Sequence, residues 1–293
     1  MRYLFSIALI VFFSTSAVWA QKSNVFLFDL DQPRDTVYQF NNPKLLTTYN
    51  SQGYNNHPTF IDENVLYVSS QMPGQSQPDI YKMDLRDNSL GRVTKTDEGE
   101  YSPFPMPDFY NFSAVRMEFQ GRDTLLRLWQ FPIDRLTYGR PIFKYVINIG
   151  YYCWMNNQQV AAYLVGTPST LAIGDVRTDQ FETVSENVGR CFRMLPNGNL
   201  AYIQKTPYGG WQLIEYNIYN KNKELITTML PNVEDFGVLR DGTIIIGDGS
   251  KIYKFNRIRD KDWVEVADLR YYNINNITRI AVSKGNKVAI VAD

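Results

Sequence analysis

His57, Cys153 and Cys191 are the only imidazole and the only thiols in the 293-residue chain. Three such side chains cannot complete a four-coordinate zinc site built from Cys and His. Triad hydrolysis would have to recruit His57 as its base. Yet His57 stands directly before Pro58 in an extended stretch, where a polar residue leading into a strand is the simpler reading. No Gly-x-Ser-x-Gly elbow, P-loop pattern or dinucleotide fingerprint occurs. Asp241-Gly242-Thr243 and Asp248-Gly249-Ser250 carry oxygen ligands of the kind calcium uses. Asp-Gly is first of all a hairpin-turn pair, however, because its glycine takes positive φ. No cofactor is therefore expected, with calcium kept as the alternative. Asn111-Phe112-Ser113 and Asn276-Ile277-Thr278 match the glycosylation pattern, but both fall in expected strands.

The elements that must position these groups are legible in one stretch, Tyr54 to Thr96. It runs His57-Pro58-Thr59-Phe60, a turn at Asp62-Glu63-Asn64, a strand Val65 to Ser70, a loop, Asp79 to Leu85, a turn at Asp87-Asn88, and Arg92-Val93-Thr94. Four short β segments in about 43 residues, parted by Gly, Pro, Asn and Asp turns, have the size and grammar of one propeller blade. The pattern recurs from Tyr101, Tyr151, Arg190 and Glu234. A sixth blade is split: Asn24 to Leu30 and Leu45-Leu46-Thr47 supply one half, Ile277 to Ser283 and Lys287 to Ala292 the other. The fold class expected is all-β, a single six-bladed β-propeller over residues 21–293 in which N-terminal strands complete the last blade. Such a splice pairs edges that would otherwise stay open.

The succession "HPTFIDENVLYVSS", "DIYKMDL" and "RVTKTDEGEYSP" resembles the WD40-like repeat of the TolB C-terminal propeller family. The likeness is good in this blade and degraded in the others. It implies a periplasmic partner protein, such as a peptidoglycan-associated lipoprotein; the partner-contacting residues do not match one by one and are not carried over. Only Gln21 to Asn24 precede the first strand, so the family's N-terminal α/β domain is expected to be absent.

Residues 1–20 read as a secretory signal peptide: Arg2, an apolar run from Leu4 to Phe13, and small residues at Val18 and Ala20 before a cut at Gln21. The apolar run is shorter than the roughly 20 residues a spanning helix needs. The mature chain is expected to be periplasmic or secreted and not membrane-spanning. Thirty basic and thirty acidic residues balance; loss of Arg2 with the signal leaves a net charge of minus one. A near-neutral chain without a basic run offers no electrostatic footprint for nucleic acid.

Residues leading into the six inner strands should edge one mouth of the axial channel. They are Asn55, Asn56 and His57; Glu100, Tyr101 and Ser102; Tyr151 and Tyr152; Arg190 and Arg193; Glu234 and Asp235; Asn276 and Arg279. Tyr and Arg groups dominate binding hot spots, so this rim suits a peptide or a protein loop; an ordinary solvated rim is the competing reading. The leading expectation is an exported, non-enzymatic scaffold holding an envelope protein or peptide. The alternative is a calcium-dependent propeller hydrolase of the lactonase or esterase kind, with Asn55, Glu100, Glu234, Asp235 and Asn276 as ligands. Recognition of a carbohydrate or small ligand by the rim tyrosines is a third reading. Cys153 and Cys191 fall near the starts of adjacent inner strands, on the same side in a period-two alignment. In an exported protein they could close a disulfide between blades or remain two buried thiols.

Overall fold

The computed structural model describes residues 22–133, 138–208 and 210–293. The expected signal segment lies outside the described residues. Among the described residues, twenty-four strands form six four-stranded antiparallel sheets. The chain opens with β1 (Asn24–Arg34) and β2 (Val37–Leu45). Blade one is β3 (Tyr54–Phe60), β4 (Val65–Gln71), β5 (Asp79–Asp84) and β6 (Leu90–Arg92). Blade two is β7 (Gly99–Pro105), β8 (Asn111–Gln120), β9 (Asp123–Pro132) and β10 (Arg140–Pro141). Blade three is β11 (Ile149–Trp154), β12 (Gln159–Leu164), β13 (Thr170–Asp175) and β14 (Gln180–Glu186). Blade four is β15 (Val188–Met194), β16 (Leu200–Gln204), β17 (Gln212–Tyr216) and β18 (Lys223–Thr228). Blade five is β19 (Gly237–Val238), β20 (Ile244–Asp248), β21 (Lys251–Phe255) and β22 (Val264–Asp268). The last sheet runs β23 (Ile277–Val282), β24 (Lys287–Ala292), β1, β2. The N-terminal strands thus complete it, with Val25 opposite Val291 and Phe28 opposite Val288.

The sheets stack face to face, so a strand between two neighbours buries both of its faces. In β20, Ile244 and Ile246 pack towards blade four while Ile245 packs towards blade six. In β4, Leu66 and Val68 face blade six and Tyr67 faces blade two. This is why the second strands read as runs of Val, Ile and Leu without polar alternation. Each neighbouring pair of blades shares one apolar cluster, including the closing pair, where Val25, Leu46, Val291 and Leu66 meet.

The family-like "D-I-Y … V-T" signature has a mechanical basis. The Thr94 hydroxyl accepts the Ile80 N–H at 2.8 Å and donates to Asp79 Oδ1 at 3.2 Å. In the spliced blade Thr47 does the same, accepting from Val25 N–H at 3.1 Å and donating to Asn24 Oδ1 at 2.9 Å. Both threonines are buried, and each answers a backbone donor that the ladder leaves open.

Two expectations need correction. The inner strand of blade five, expected from Glu234 to Leu239, pairs only over Gly237 and Val238. It lies so close to blade six that a Cβ on Gly237 would stand 2.8 Å from Val282 Cγ2, and Asp235 ahead of it bonds sideways. The outer strand of blade two is Arg140–Pro141, ahead of the expected Pro141 to Tyr145. Of the two readings open for the cysteines, the structure has Cys153 and Cys191 as free, buried thiols. Cys153 packs between blades three and four, Cys191 between blades four and five. Equivalent positions on successive blades look the same way round the ring, so one thiol faces the next blade while the other faces onward.

Candidate functional site

All six inner strands begin at one end of the channel, and register breaks open near the start of five of them. These lie between Asn56 and Thr59, Tyr101 and Phe104, Ile149 and Tyr151, Val188 and Phe192, and Ile277 and Arg279. Bulges of this kind re-aim side chains. In blades one and two the bulged residues are His57 and Ser102, each followed by proline and each left-handed, with φ of 54° and 52°. A side chain held there carries backbone strain that the surrounding structure must support.

The result is an aromatic chamber. The His57 ring centroid lies 6.0 Å from those of Tyr101 and Tyr151 and 6.4 Å from that of Tyr54, all edge-on. Tyr54 and Tyr101 meet at 6.4 Å. Arg279 and Arg190 close the other side, their guanidinium carbons 5.1 and 6.0 Å from the Tyr151 ring centroid. Arg279 Nη2 donates to the Tyr151 phenol oxygen at 3.2 Å. Blade five adds Asp235, which accepts the Ile280 N–H at 2.8 Å, and Glu234, which pairs with Lys205. Arg193 reaches from blade four to the Ile280 carbonyl at 3.5 Å. The Ile280 amide and carbonyl are thus both answered by side chains.

The chamber's charge shows in its titrating groups. Burial, then the charges of Arg279 and Arg190, hold His57 well below the usual imidazole value, so it is neutral at pH 7. Burial pushes the Tyr101 phenol up to about 12. Burial raises Tyr151 too, but Arg279 and Arg190 together outweigh it and bring this phenol below the ordinary tyrosine value. A cavity of about 320 Å³ opens beside the arginines between blades four and six. Arg190, Asn232, Glu234, Asp235, Asp248 and Arg279 line it. Asn276 lies there as well, donating to Asp293 Oδ2 at 2.8 Å.

Of the residues singled out in the sequence, His57, Tyr101, Tyr151, Arg190, Arg193, Glu234, Asp235 and Arg279 are brought together. Asn56 supports the His57 turn, its Oδ1 accepting the His57 N–H at 2.8 Å. The Ser102 hydroxyl is buried with no hydrogen-bond partner. Asn55, Glu100 and Tyr152 do not reach the channel. Asn55 ties blade one to the N-terminus through Ser23 O and Asn50 O, at 2.9 and 2.8 Å. Glu100 accepts from Arg116 Nε at 3.0 Å and Thr96 at 2.6 Å inside blade two. Tyr152 donates to Ser113 Oγ at 2.8 Å and to Ser102 O at 2.9 Å. Successive strand residues point to opposite sides, so only one of each adjacent pair faces the axis. Tyr54 was missed although it shares a face with Asn56; Lys205 follows a second strand, outside the inner-strand pattern.

Asp241, the first calcium candidate, bonds Thr243 N–H and hydroxyl, both at 3.0 Å, and pairs with Arg259 at 2.6 Å. Among the described residues no group of three or more His, Cys, Asp or Glu side chains is arranged to hold a metal ion. Among them, too, no helix is long and apolar enough to cross a membrane.

No family model matches the sequence, and no curated protein matches it. Solved structures do. A protein assigned as TolB from Agrobacterium tumefaciens superposes with a TM-score of 0.67 at 12% identity, over 92% of this chain and 98% of that one. A chain from a nidogen/laminin complex gives 0.64 at 9% identity, over 92% and 98%. Oligogalacturonate lyase from Vibrio parahaemolyticus gives 0.58 at 12% identity, over 85% and 80%. At such identities the likeness establishes the propeller fold, one shared by binding proteins and enzymes.

Proposed function

We propose that this chain is a non-enzymatic binding propeller, exported to the envelope or secreted, which grips a loop or peptide of a partner protein at the channel mouth. The observation that carries the reading is the convergence of all six blades on one chamber of tyrosine rings and arginines. Rings with few rotors and delocalised cations give much contact for little ordering entropy. A neighbour of the same fold comes from a nidogen/laminin complex, which is in keeping with a protein-binding role. Of the five calcium ligands offered for the hydrolase reading, Asn55 and Glu100 have side chains committed to the interior of the ring.

Capture of partners from envelope extract tests the proposal. Loss of one specific partner on changing Tyr151, Arg190 and Arg279 together to Ala supports it; unchanged recovery of every partner removes the mouth as the site. A calcium-dependent rise of many degrees in melting temperature would favour the enzyme, since only a ligand that binds the native state stabilises it.

A further inference from the structure

Arg190 and Arg279 converge on one phenol, and neither is tightly held by the carboxylate beside it. Glu234 pairs with Lys205 and stands 3.5 Å from Arg190 Nε. Asp235 is bonded to the Ile280 amide and stands 3.6 Å from Arg279 Nη1. A charge-assisted N–H···O bond is about 2.7–2.9 Å long, so these contacts are attractions at a distance. Arg190 Nε is buried with no hydrogen-bond partner. Arg190 and Arg279 both line the adjoining cavity, so an acceptor entering it meets guanidinium groups that the neighbouring carboxylates leave unsaturated.

We propose that this acceptor is a single carboxylate of the partner, an acidic side chain or a chain end, seated between Arg190 and Arg279 at Tyr151. The inference rests on the binding function above and names the group that is bound. Two guanidiniums offer planar donor forks, which suit a carboxylate better than a carbonyl or hydroxyl. The adjoining cavity of about 320 Å³ takes the residue that bears it. Glu234, Asp235 and Asp248 line the same cavity, and they oppose a second negative charge. The site is therefore selective for a lone carboxylate followed by neutral or cationic groups, over a polyanion.

Three peptides test this: N-acetyl-glycyl-glycine, its C-terminal amide, and N-acetyl-aspartic acid amide. Each is titrated into protein carrying carbon-labelled tyrosine rings, with the Tyr151 signal assigned by Tyr151→Phe. A saturable Tyr151 shift and a rise in its titration midpoint are expected with at least one acid and not with the glycyl-glycine amide. Which acid binds tells a chain end from a side chain. Arg190→Gln or Arg279→Gln should weaken the response by about tenfold or more, the loss expected for one charge-assisted hydrogen bond. Should a variant fail to fold, the acid-against-amide comparison on the unaltered protein decides alone. Equal response to acid and amide, or no saturable response to either acid, overturns the carboxylate. If partner capture still depends on the mouth in that case, the binding function survives without it.

Discussion

His57 concentrates the residue-scale physics. Its folded pKa lies well below the ordinary 6.5, so the unfolded chain takes up a proton first as pH falls. The stability linked to His57 is complete above about pH 6.5 and declines below it, by at most about 1.4 kcal/mol per pH unit. Denaturant melts between pH 7 and 4 should show this limb, and His57→Asn, which tolerates the left-handed backbone, should flatten it. The tyrosines give the opposite edge. Tyr49 and Tyr101 are both pushed up to about 12, so stability is intact below about pH 10, where an unfolded tyrosine ionises, and falls between there and pH 12. Tyr151, lowered instead, works against that fall. The thiols are a third check: burial pushes Cys153 up to about 11 and Cys191 up to about 12. Both should resist alkylation in the native protein, react on denaturation, and leave the melting temperature indifferent to reductant; the absence of alkylatable thiols on denaturation without reductant, restored by reduction, would contradict this. At this scale the sequence showed which residues approach the axis but not which way they turn. Tyr151 and Tyr152 look alike in a string, and a bulge decides between them.

Among elements, the blade repeat was legible because its turns and its threonine are chemically enforced. Thr47→Val and Thr94→Val keep shape but strand a buried N–H, and each should cost about 1–3 kcal/mol in urea melts. Equal costs would show that the spliced blade is built like the continuous one. The splice itself depends on β1, whose Phe28 is fully buried between blades five and six; Phe28→Ala should cost about 3–5 kcal/mol. Blade five was harder to read. Its inner strand pairs over two residues only, and Asp235, just ahead of it, bonds across to the Ile280 amide of blade six. No local pattern announces a side chain that reaches to the next blade.

For the whole molecule, closure of the ring and convergence of six blades on one chamber are one fact seen twice. A chamber drawn from residues 54 to 279 forms only when the ends of the chain meet, so loss of β1 and β2 should remove binding together with cooperative unfolding. The far end of the channel offers a rival surface, since Phe109 and Tyr110, in the turn after β7, are 85% and 81% exposed. Photo-crosslinking from single sites decides between the two ends. A crosslinker at Asn232 or Thr278 should capture the proposed partner in proportion to its concentration, and one at Phe109 should not; capture from Phe109 alone would contradict the mouth as the proposed binding site.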